Sequence, residues 1–161
     1  MKKILAVLLA LILVLGVTSA FADEMKKPIK VGVTIYQFND NFMTLYRTEL
    51  QKYLEETYGA QVTVVDGKND QTEQTNQINS FIADGVDVLI INMVQATSSA
   101  AVTELAKEAG IPVIYDNTMG PSDVDYLTYV GVDNAEVGRM IAEEMAAKID
   151  YKGKVLVMEG V

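Results

Sequence analysis

Residues 31–43 read VGVTIYQFNDNFM. A run of Val, Ile and Thr with little polar alternation ends on Asn39-Asp40-Asn41, and Phe38 and Phe42 bracket those polar groups. A short apolar run of this kind is the pattern of a strand buried on both faces, which is how strands of parallel sheets read. The polar groups that follow suit two uses. Asp40 or Asn41 can cap the next helix, the commonest use of such residues there. They can equally face a ligand, and the sequence leaves both open.

Working outward, the pattern repeats. The lead-in 23–28 is polar and the first strand runs over 29–36. A helix is expected over 41–58, with Phe42, Leu45, Tyr46, Leu50, Tyr53 and Leu54 at helical spacing and Gly59 as its stop. QVTVV (61–65) is a second strand. A second helix follows over 71–84, with Ile78, Phe81 and Ile82 as its apolar stripe and its start, QTEQTNQ, expected to be solvated. VDVLIIN (86–92), IPVIY (111–115), 127–132 and KVLVME (154–159) are further strands, with helices over 98–109 and 134–149 between them. Strands alternating with helices across short loops specify parallel βαβ units with right-handed crossovers. The expected fold class is therefore α/β, a doubly wound parallel sheet with helices on both faces.

Composition narrows the function. Lys2 and Lys3, the charge-free run Ile4–Val17 and Ala20-Phe21-Ala22 have the three-part layout of a cleaved signal peptide, residues 1–22. At 14 residues the apolar run falls short of the roughly 20 needed to span a bilayer. Removing 22 of 161 residues leaves 139, and the net charge of −9 becomes −11 once the two lysines leave. Such a surface repels phosphate backbones, so nucleic acid is not an expected partner. There is no Cys and no His, which excludes disulfides, a thiol-linked lipid anchor, ordinary zinc sites and His-activated nucleophiles. Export without an anchor points to a periplasm. Neither GxGxxG nor GxxxxGK[ST] occurs, so no phosphate cradle is expected.

Ligands of doubly wound sheets sit beyond the carboxyl ends of the strands. The residues there are 36–42, 66–70, 92–95 and 116–118, dominated by carboxylates, amides and aromatics. Asp accepts from two hydroxyls at once, Asn both donates and accepts, and an aromatic ring covers an apolar C–H face. Asp40, Asn117 and Phe42 supply those three functions, which suit a sugar. The alternatives are local: Asn117 as a turn residue before Gly120-Pro121, Tyr36 as part of the core, and Asn92 satisfying backbone at a strand end.

The segments VGVTIYQFNDNFM, NDQTEQTNQI (69–78), GVDVLIIN (85–92), GIPVIYDN (110–117) and YVGVDNAEVG (129–138) together resemble the periplasmic sugar-binding proteins of bacterial ABC transporters, and within them the galactose- and glucose-binding branch. IYxxxDNFM is the most specific piece. The resemblance implies a type I periplasmic-binding-protein fold of two lobes that clamp a monosaccharide, galactose or glucose, for a membrane permease. It implies Asp40 as acceptor for sugar hydroxyls, Phe42 as stacking ring, Asn117 as amide contact and Tyr36 at the pocket edge. It further implies an N-terminal lobe over 23–131, incomplete here, then a hinge near Tyr129–Asp133 and the start of a truncated second lobe over 132–161. Two departures stand out. The Asp-Pro pair common after the third strand is Gln95-Ala96 here, and IDYKGK (149–154) is too short and too poor in carboxylates for the branch's calcium loop. No metal and no cofactor are expected. Competing readings are a sensor docking on a chemoreceptor, a glycoside-acting enzyme, and a sugar-responsive repressor. The last fits poorly with a chain that opens on a signal peptide.

Overall fold

The computed structural model describes residues 27–118 and 124–157. The signal-peptide expectation for 1–22 and the turn at Gly120-Pro121 lie outside these residues. The elements in chain order are β1 (Lys30–Ile35), α1 (Asn41–Tyr58), β2 (Gln61–Asp66), α2 (Gln71–Ala83), β3 (Val88–Ile91), a 3-10 turn (Ala96–Ser98), α3 (Ser99–Glu108), β4 (Val113–Asp116), β5 (Thr128–Val130) and α4 (Asn134–Lys148). All strand pairings are parallel, and the sheet runs β2-β1-β3-β4-β5. The doubly wound expectation holds, with its reversal in strand order between β1 and β3.

The period-two geometry of β1 explains the two-sided core. Val31, Val33 and Ile35 point to one face, where Met43 and the half-buried Tyr46, Leu50 and Leu54 of α1 pack on them. The opposite face carries Ile78 and Phe81 of α2 and Val102 and Ala106 of α3, over Leu89, Ile91, Val113 and Tyr115. Gly32 faces this second layer. A Cβ there would lie 2.8 Å from Cγ of Phe81, so the glycine is the residue that lets α2 approach the sheet.

Helix α1 refines the sequence reading. Its packed stripe is Met43, Tyr46, Leu50 and Leu54, one side chain per turn, whereas Phe42, Leu45 and Tyr53 stand in solvent. The helix ends where expected. Gly59 adopts φ 64°, its N–H donates to the Glu55 carbonyl at 3.0 Å, and Ala60 N–H donates to Leu54 at 3.3 Å. These two bonds close the last turn around a left-handed residue, a conformation that costs glycine nothing.

One expectation changes. The sixth strand, 154–159, is absent over its described part: residues 154–157 are irregular, and Leu156 and Val157 are largely exposed. Val-rich composition suits a strand, but a strand exists only with a neighbour to complete its hydrogen bonds. Residues 158 and 159 lie outside the described set. Helix α4 forms as expected, capped by Asp133, whose Oδ1 accepts from Ala135 N–H at 2.9 Å and Glu136 N–H at 3.1 Å. It buries no residue. No helix among the described residues is long and apolar enough to cross a membrane.

Candidate functional site

The carboxyl end of β1 shows how Asp40 resolves its two readings. Oδ1 accepts from the Met43 amide at 2.8 Å, so Asp40 is the N-cap of α1. Oδ2 accepts from the Tyr36 hydroxyl at 3.0 Å. The Met43 amide first, then the Tyr36 hydroxyl, hold the carboxyl below the usual carboxylate range. Each oxygen keeps a further lone pair. The capping role therefore fixes the side chain without exhausting it. In turn, burial first and Asp40 second push the Tyr36 phenol upward.

The two bracketing aromatics part company. Phe38 lies under the Arg47 guanidinium, 3.7 Å from the ring centroid, and its amide donates to Asp66 Oδ1 at 3.1 Å. Phe42 sits on the first turn of α1, 62% exposed, stacked on Tyr46 at 6.3 Å with an interplanar angle of 15°. Only Phe42 presents a free ring face.

At the end of β3 the expectation of a solvated QTEQTNQ start is overturned. Gln71, Gln74 and Gln77 point toward the sheet at i, i+3, i+6 spacing. Gln74 is fully buried: its Nε2 donates to the Asn92 carbonyl at 2.8 Å and to Thr34 Oγ1 at 3.3 Å, and its Oε1 accepts from Val94 N–H at 2.9 Å. Gln71 Oε1 accepts from Gln95 N–H at 2.9 Å, and Gln77 Nε2 donates to the Asp66 carbonyl at 2.6 Å. A loop at a strand end has backbone groups with no ladder partner. Here three amides of one helix supply them, pinning 92–95 and the end of β2. Asn92, also fully buried, donates from Nδ2 to the Asp116 carbonyl at 3.1 Å and accepts from Tyr36 N–H at a long 3.5 Å. It ties the ends of β1 and β4 across β3, so the local backbone role is the one it performs.

At the end of β4, Asn117 adopts φ 54°, a left-handed conformation that Asn tolerates better than most residues. Its N–H donates to the Val130 carbonyl at 3.0 Å and its side chain is exposed. Asp116 beside it is buried to 2% exposure, with no hydrogen-bond partner for either carboxylate oxygen. The Tyr46 hydroxyl is directed at this carboxylate without reaching hydrogen-bond geometry. Burial pushes the Asp116 carboxyl above its usual range, the opposite of Asp40. Burial first, and the Asp116 charge second, push the Tyr46 phenol far up as well.

The four sequence-predicted residues therefore share one end of the sheet. Tyr36 and Asp40 are bonded to each other, Phe42 starts the same helix, and Asn117 arrives from β4. Phe42 and Asn117 connect through Tyr46 and Asp116. The result is an open ledge beside the strand-order reversal, with an ionised carboxylate, an exposed ring and an exposed amide. A groove of about 340 Å³ lined by Phe38, Arg47, Gln51, Lys52 and Val64 lies along α1 and β2 and includes none of the four. Sequence reading missed Asp116, Tyr46 and Gln74. Tyr46 was legible as the i+4 neighbour of Phe42. The buried state of Asp116 left no mark in the sequence.

Residues 31–161 match the family described as periplasmic binding protein domain. The chain belongs to that family. This periplasmic binding protein chain is 32% identical over 164 aligned residues to a putative rhizopine-binding protein of Rhizobium meliloti, covering 99% of this chain and 50% of the relative. It is 34% identical over 125 residues to a D-galactose/methyl-galactoside binding periplasmic protein of Haemophilus influenzae, covering 74% of this chain and 37% of the relative. Among solved structures it resembles an ABC transporter solute binding protein from Bacillus halodurans with bound myo-inositol. There the TM-score is 0.70 and the identity 27%, over 75% of this chain and 42% of the other. The periplasmic binding protein chain thus spans about half the length of the curated relatives it matches.

Proposed function

We infer that this chain carries the first sugar-binding lobe of an extracytoplasmic solute-binding protein, which captures a monosaccharide for ABC-type uptake without chemical change. The observation that carries the reading is the ledge itself: Asp40 held ionised and fixed by Met43 and Tyr36, with the open Phe42 ring two residues on in the first turn of α1 and the Asn117 amide across β3. A carboxylate accepting from hydroxyls, an amide doing both, and a ring against C–H groups match a sugar's alternating polar and apolar faces. Galactose or glucose is the proposed ligand, on the likeness of IYxxxDNFM, with a membrane permease as partner and residues 1–22 directing export to the periplasm.

A sugar on this ledge alone keeps one face in water. The relatives are about twice as long, so the complete ligand cage is proposed to need a second α/β unit closing over the first, with residues 132–161 leading into it. Titration calorimetry with D-galactose, D-glucose, D-ribose and myo-inositol tests this. Binding by the 161-residue chain should be millimolar or weaker, and micromolar binding should appear only when a second unit is present. Micromolar binding by this chain alone would remove the need for closure, and release of product from a glycoside would replace capture with catalysis. The ledge also suits a sensor that docks on a chemoreceptor, since sensing and uptake share the ligand step.

A further inference from the structure

Asp116 is the only buried acidic or basic side chain among the described residues. No lysine or arginine pairs with it among those residues. The groups that face it are the Tyr46 hydroxyl from α1 and the Asn92 amide from the end of β3, and the latter spends a hydrogen on the Asp116 backbone carbonyl. A lone carboxylate in such a place is strongly disfavoured as an anion and neutralises instead. Burial raising its carboxyl is in line with that, and the approach of Tyr46 and Asn92 offsets only part of it.

What makes this acid more than a packing detail is its position. Asn117 is the next residue. Tyr46, which faces the carboxyl, is also the ring on which the exposed Phe42 stacks. One buried group therefore touches the supports of both the amide and the ring of the ledge. If it ionises, water or a cation must enter, or Tyr46 and the Asp116–Asn117 segment must shift to expose it.

We propose that Asp116 is a positioning residue of the ledge, keeping Tyr46, and through it Phe42, together with Asn117 in their binding arrangement only while its own carboxyl is protonated. Ligand affinity is then highest on the acid side of the Asp116 titration and declines as pH rises through it. The inference rests on the ledge being the ligand site.

The test follows the Phe42 ring and the Asn117 side-chain amide by NMR across pH, in the full-length protein and in Asp116→Asn, alongside calorimetry with the four-sugar panel named above. In the unaltered protein both signals should move with one shared midpoint, and affinity for the sugar bound should fall by about tenfold across it. Asp116→Asn, neutral at every pH, should hold both signals and the affinity level. Tyr46→Phe removes a hydroxyl that favours the ionised form, so it should move the midpoint to higher pH. This variant keeps the proposal testable where Asp116→Asn folds poorly. Signals indifferent to pH, or titrating identically in Asp116→Asn, overturn the proposal whatever the ligand. Titrating signals with a flat affinity profile overturn the positioning role. Titrating signals with no sugar bound at any pH overturn the ligand reading and the role together.

Discussion

The Tyr36 hydroxyl donates to Oδ2 of Asp40 at 3.0 Å while Oδ1 of the same carboxylate caps α1. The stretch from Tyr36, just past β1, to Met43 in the first turn of α1 is thereby held by one side chain. On the proposed reading, a sugar hydroxyl approaching Asp40 would meet an acceptor already oriented by two hydrogen bonds, and preorganisation of that kind favours affinity.

Separating the cap from the ligand role is possible because Asn also caps well. Asp40→Asn should leave thermal stability near that of the unaltered protein at neutral pH, whereas Asp40→Ala should lower Tm. Both should weaken sugar binding by about tenfold or more, since a charged acceptor is lost. Calorimetric affinities set beside melting curves read the two effects independently. Asp40→Asn with unchanged affinity would take the residue out of the site.

The acid side of the stability profile carries the same carboxylate. Its folded-state titration lies below the unfolded one, so its contribution is present above the unfolded value, near 3.9, and is lost as pH falls through the folded value. Comparing urea midpoints of Asp40→Ala and the unaltered protein from pH 7 down to 2 should show the gap narrowing on the acid side. A gap that widens there contradicts the sign.

Phe42 offers a cleaner separation. Its ring is 62% exposed, so Phe42→Ala should change stability by no more than about 0.5 kcal/mol. Sugar affinity should nonetheless fall about tenfold through loss of the stacking face. Equal affinity in the variant and the parent protein would show the ring to be surface decoration.

Gln74 makes the opposite kind of residue. Gln74→Leu leaves the Val94 N–H and the Asn92 carbonyl buried without their partner, at about 1–3 kcal/mol each. A loss of roughly 2–4 kcal/mol in urea unfolding is expected. Gln71→Ala, at a half-buried position with one bond to the same loop, should lose less.

These residues also show where the sequence was transparent. The βα order was legible because apolar Val/Ile runs end on Gly or polar turns, and the parallel sheet needs nothing else to be recognised. The placement of Asp40, Phe42 and Asn117 at one end of the sheet was legible because position beyond a strand end is a local property. Gln74 was not: the stripe Gln71–Gln74–Gln77 is polar, so apolar periodicity cannot see it, and its partners at 34 and 92–94 are distant in sequence. Asp116 was hidden for a related reason, since a charged residue at a strand end reads as exposed until three elements close over it. KVLVME erred the other way, with strand composition but no hydrogen-bonded neighbour over 154–157.

Packing sets the last expectation, at Gly32. A methyl group there meets the Phe81 ring at 2.8 and 2.9 Å and Leu89 at 3.1 Å, both side chains of the α2-side core. Gly32→Ala should therefore destabilise by about 1–3 kcal/mol through displacement of α2 from β1, despite the gain in strand propensity. Because Gln74 and Gln77 are carried by that helix, the shift should also loosen the loop at 92–95. Amide hydrogen exchange at Val94 and Gln95 faster than in the unaltered protein would register it. Unchanged protection together with unchanged urea midpoints would mean that Phe81 rotates away freely and that the close approach of α2 is not what the glycine secures.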